Sequence, residues 1–137
     1  MEDIQKRLAL KIKLNKIENC GIAAPILLNE LLAKKGYKTK VVQGFASLGP
    51  ETIWHVWVEC EGKQLDIAQV ISKLYDPNHN SDGITLSETY EDGSPKENQQ
   101  VTAQWELYQQ DSKQFWRETP MKVQNFRASL LRSCGGK

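Results

Sequence analysis

A thiol, an imidazole and a carboxylate stand in the first half of this chain where they can act together: Cys20, His55 and Asp66. The strongest strand pattern is Ile53 to Cys60 (IWHVWVEC). Glu61-Gly62 follows as a two-residue turn, and Lys63 to Ile67 (KQLDI) pairs back. That turn sets Trp57 opposite Asp66, Val58 opposite Leu65 and His55 opposite Ala68. Side chains alternate between the faces of a strand. One face then carries Trp54, Val56, Val58, Cys60, Leu65 and Ile67, and the other carries His55, Trp57, Gln64 and Asp66. His55 and Asp66 are diagonal neighbours within side-chain reach. A slip of one residue would send Asp66 into the apolar layer, so the pattern argues for this register. A carboxylate there fixes the imidazole tautomer and stabilises its charged form.

An activated imidazole needs a nucleophile to serve, and Cys20 is the candidate. It opens the apolar run CGIAAPILLNELLAKK, residues 20–35, which ends at Gly36. A thiol at the head of a buried helix, beside an imidazolium, is expected to ionise well below about pH 8.5. Pro25 complicates the entry: either the regular helix begins near it, or the first turn is distorted. For an oxyanion the Cys20 backbone N–H is one donor. Asn19 is a second, weaker candidate, although an Asn before a helix also serves as an N-cap. Trp54 and Trp57 fit packing, or a platform for substrate. Cys20, His55 and Asp66 could also ligate zinc, but no fourth ligand is evident. No metal and no cofactor is therefore expected.

Several elements must hold these groups. Residues 3–17 read as a helix, with Ile4, Leu8 and Ile12 on one stripe and Leu10, Leu14 and Ile17 beside it. Thr39 to Phe45 reads as a strand and Ser47 to Pro50 as a turn, which makes three antiparallel strands after the buried helix. Residues 76–93 are polar and turn-rich, with one short strand candidate at Ile84 to Tyr90. In chain order they follow the Asp66 strand, so they either reach over the thiol as a lid or substrate wall, or form a surface excursion. Ser94 to Glu97 reads as a capping box. The helix after it carries Val101, Trp105, Tyr108 and Phe115. Thr119-Pro120 stops that helix and opens a last one with Val123, Phe126 and Leu130. His79 is expected to be solvated, Cys60 inert in the apolar layer, and the tail around Cys134 frayed.

Composition narrows the function classes. A chain of 137 residues, 39% hydrophobic and 26% charged, fits a single α+β domain spanning 1–137. Its core is 19–67 and its C-terminal helical part 94–132. Lys+Arg 18 against Asp+Glu 17 argues against a nucleic-acid binder. No apolar run reaches the length of a membrane span, about 18 residues. Three cysteines without export signal or CxxC spacing suggest reduced thiols and a cytoplasmic setting. Basic residues gather at the two ends of the chain, whereas residues 41–120 hold five basic and thirteen acidic residues. That excess is either solvated surface or an acidic rim beside the site.

Taken together, CGIAAPILLNELLAKKGYKTKVVQGF, then WHVWVE, then QLDI resemble the core of the transglutaminase-like superfamily, within the papain-like cysteine enzymes. Cys20-Gly21, the H-x-W-x-E run from His55 to Glu59, and Leu65-Asp66 match that family's order. The separations, 35 (55 − 20) and 11 (66 − 55), match as well. The resemblance covers residues 19–67. It implies an antiparallel sheet packed on the Cys20 helix, and thiol chemistry on an amide or isopeptide bond of a peptide or protein. Water reaching the thioester would give hydrolysis, and an amine would give transamidation. Two other functions are compatible with such a core: a catalytically inactive binding module, and a small-molecule amine N-acyltransferase.

Overall fold

The computed structural model describes residues 1–18, 20–79, 84–89 and 99–135. Helices α1 (Glu2–Leu14) and α2 (Ala23–Lys34) lead into strands β1 (Thr39–Leu48), β2 (Glu51–Cys60) and β3 (Lys63–Leu65). Helix α3 (Ile67–Tyr75), strand β4 (Ile84–Ser87) and helices α4 (Gln99–Gln110), α5 (Ser112–Glu118) and α6 (Met121–Gly135) complete the order. The four strands form an antiparallel sheet in the order β3-β2-β1-β4, packed against helices. No helix among the described residues is long and apolar enough to cross a membrane.

Helix α2 is the centre of the packing. Ile22, Ile26, Leu27, Leu28 and Leu32 are all buried, against Val56, Val58 and Cys60 of β2 and against α1, α3 and α6. Each such side chain contributes about 1.5–3 kcal/mol on burial. That holds α2 in place although it has no acidic residue in its first turn and no side-chain cap. Pro25 is the third residue of α2, within the first turn, where proline is tolerated. The bond from Ala24 N–H to the Cys20 carbonyl, 2.8 Å, ties Cys20 to the turn that leads into α2.

The register expected from the apolar layer is present: Val58 pairs with Leu65, Glu59 with Gln64 and Cys60 with Lys63. Glu61 and Gly62 turn the chain between them with φ of 49° and 87°. Two consecutive left-handed residues match the twist of a two-residue hairpin. Glu61 tolerates that conformation while tied to Lys38: its N–H donates to the Lys38 carbonyl, and its carboxylate accepts the Lys38 N–H.

Several expectations need correction. The strand carrying Asp66 stops at Leu65, and α3 begins at Ile67, because Ile67, Val70, Ile71 and Leu74 turn an apolar face to the core at helical spacing. The strand candidate at Ile84 to Tyr90 is present as β4, ending at Ser87 and paired with β1, whereas β1 runs on through Leu48, so the turn narrows to Gly49-Pro50. Leu10 and Leu14 are exposed, because α1 buries only its Leu8–Ile12 face. The expected helix through Phe115 breaks at Asp111, whose carboxylate accepts the Gln114 N–H at 3.1 Å and caps α5. The capping box at 94–97 lies outside the described residues.

Candidate active site

Strand β2 presents His55, and the hairpin returns the chain so that Asp66 follows the last residue of β3. Asp66 occupies the N-cap position of α3 but makes no cap bond there. Its two oxygens face His55 Nε2 instead, at 2.9 and 3.0 Å. The side chains are 14% and 9% exposed, so the pair is largely screened from water. An ionised carboxylate only accepts, so the bond runs from Nε2–H to Asp66. Nδ1 is then the ring nitrogen left with a lone pair, free of protein partners among the described residues. The expected neighbours are thus hydrogen-bonded, although Asp66 belongs to a helix entry rather than a strand.

Cys20 lies just before α2, half-buried and packed against the hydrophobic core. Among the described residues no hydrogen bond joins its Sγ to His55. Burial pushes the Cys20 thiol up from its ordinary value, and its own backbone N–H offsets this in part. The expectation of a thiol already ionised at the helix head is corrected here. The helix begins three residues later, and loss of water outweighs the local amide.

The tryptophans divide. Trp57 is fully buried and closed to substrate, so it is no platform. Gly44, paired with His55 across the ladder, makes this possible: a Cβ there would lie 2.5 Å from Trp57 Cη2 and 2.5 Å from the Ser87 carbonyl. Trp57 also stacks on the His55 ring, with centroids 6.3 Å apart and planes 27° from parallel. Its Nε1 has no partner among the described residues. Trp54 is partly buried and packs against the core. Asn19 lies outside the described residues. Cys60 is fully buried in the apolar layer.

Two expectations about the following segment change. Because α3 intervenes, residues 76–93 do not continue directly from Asp66. Of the proposed lid, residues 80–83 and 90–93 lie outside the described ones. His79 is half-buried, not solvated, since its Nε2 meets Gln69 Oε1 at 2.7 Å and ties the segment to α3. Sequence reasoning passed over Gly44, although a glycine inside a strand pattern signals close approach. It also passed over the groove beside Gly21, whose other walls come from α4, α5 and α6 and are far away in sequence.

No group of three His, Cys, Asp or Glu side chains among the described residues could hold a metal ion. No protein-family model, no curated protein and no solved structure matches this chain.

Proposed function

We propose that the chain is a thiol-dependent amide or isopeptide hydrolase or acyltransferase with a transglutaminase-like core, acting on a peptide or protein. The observation that carries this reading is the screened His55–Asp66 pair, with Nδ1 left as the basic nitrogen. Cys20 is the nucleophile, His55 the acid and base, and Asp66 holds the tautomer. The raised thiol makes the resting state a neutral one, so the proton moves as substrate arrives.

Nδ1 takes the Sγ proton while the sulfur bonds to the amide carbonyl carbon. The C–N bond then breaks, and Nδ1–H gives its proton to the departing nitrogen. This leaves an acyl thioester and a free amine. Water, deprotonated by Nδ1, attacks the thioester, and the proton returns to sulfur as the acid leaves. An incoming amine in place of water gives a new amide.

The test is the rate of Cys20 alkylation by iodoacetamide at pH 7, read by peptide mass, in the unmodified protein and in His55→Ala. A base acting on the thiol predicts a rate at least roughly tenfold lower in the variant. A second reading, a binding module without chemistry, is favoured by the absence of a bond from Sγ to His55. It predicts equal rates, and equal rates would reject the enzyme.

A further inference from the structure

A groove of about 570 Å³ opens at Glu18 and Gly21, on either side of Cys20 in sequence. Its size suits a ligand cleft. A Cβ placed on Gly21 would meet nothing within 4 Å, so open space begins at the residue next to the thiol. Val101, Leu107, Phe115 and Val123 supply apolar surface from α4, α5 and α6. Glu18 and Glu118 are its only charged lining residues among those described. Glu118 accepts a bond from Gln114 Nε2 at 2.8 Å, which orients the carboxylate without neutralising it. Glu18 has no partner among the described residues. Another cleft, of about 580 Å³, has the opposite character: Lys113, Arg117 and Arg127 line it together with Glu30.

Resting on the thiol reading above, we propose that the groove at Gly21 is the substrate cleft, and that it takes a peptide segment carrying lysine or arginine on an apolar run. The apolar walls accept the run, and the two carboxylates select the cation and disfavour an acidic peptide by like charge. Of the acidic residues in the middle of the chain, Glu118 thereby acquires a local role at this cleft.

The test separates binding from chemistry. Two fluorescein-labelled octapeptides share one apolar centre and differ in carrying Lys or Glu at both outer positions. Their affinity for the Cys20→Ala protein is read by anisotropy. The Lys peptide should bind roughly tenfold tighter, the sum of two partly exposed charge contacts. In Glu18→Gln/Glu118→Gln on the same background, and in the parent at about 1 M salt, the preference should fall to about twofold or less. Equal affinities, a preference for the Glu peptide, or no binding of either at millimolar concentration would overturn the cleft. Iodoacetamide labelling of the unmodified protein reads the thiol separately. A Lys preference with a Cys20 rate indifferent to His55 keeps the cleft and removes the enzyme.

Discussion

Adding one methyl group at Gly44 should disturb both the sheet and the imidazole. Its Cβ would lie 2.5 Å from the Ser87 carbonyl oxygen, 2.5 Å from Trp57 Cη2 and 3.0 Å from Glu88 Cα. Two of these are backbone atoms of the β4 segment, so relief requires that segment or the indole to move. Overpacking of this kind costs about 1–3 kcal/mol. A chain of this length has an unfolding entropy of about 0.3 kcal/mol/K, so Gly44→Ala should lower Tm by roughly 3–10 °C. Because Trp57 stacks on His55, the shift should reach the site: Cys20 alkylation at neutral pH should slow while far-UV circular dichroism stays close to that of the parent. Trp57→Phe removes Cη2, so the double variant should lose less than the sum of the two single losses. Differential scanning calorimetry on the four proteins reads this coupling. A Gly44→Ala Tm within about 1 °C of the parent, or strictly additive losses, would refute the close approach as the reason for glycine.

Asp66→Asn should keep the fold but lower turnover by about two to four powers of ten, because the amide no longer dictates the imidazole tautomer; near-full activity in a steady-state assay would remove Asp66 from the site. Iodoacetamide followed by peptide mapping should label Cys20 well before Cys60, which is fully buried, and equal rates would contradict that placement. Burial holds the Cys20 thiol above its ordinary value in the fold, so its contribution to stability is full below about pH 8.5 and is lost as pH rises through the folded value. The Tm advantage of the parent over Cys20→Ala should therefore shrink between pH 8 and 10, and a constant difference would contradict the raised thiol. Arg127→Ala should cost about 1–2 kcal/mol in chemical denaturation. It removes the 3.0 and 2.7 Å bonds to Glu30 and the stack on Trp116, and the partial exposure of both side chains limits the loss.

The alternation of IWHVWVEC against KQLDI sets the faces of the hairpin, since a slip of one residue would place Asp66 in the apolar layer. With the Glu61-Gly62 turn, His55 and Asp66 then come within reach. The buried helix after Cys20 and the stop at Thr119-Pro120 were legible for the same reason: local pattern and turn chemistry agree there with the packing. Other features depend on groups that only the fold brings together. Asp66 caps α3 in position yet turns its oxygens to His55, a choice between two nearby partners that spacing does not reveal. Trp57 lies against Gly44, where the end of β4 also comes close, and β4 pairs with β1 across some forty residues of chain. The Asp111-Ser112-Lys113-Gln114 cap was present in the sequence but masked by the aromatic periodicity that runs across it. The state of the Cys20 thiol also belonged to tertiary structure: motif and helix position argue for ionisation, whereas desolvation by the packed core argues against it and prevails. A hydrogen-bond register is decided by neighbours in sequence, but a local dielectric and the walls of a groove are decided by elements from the whole chain.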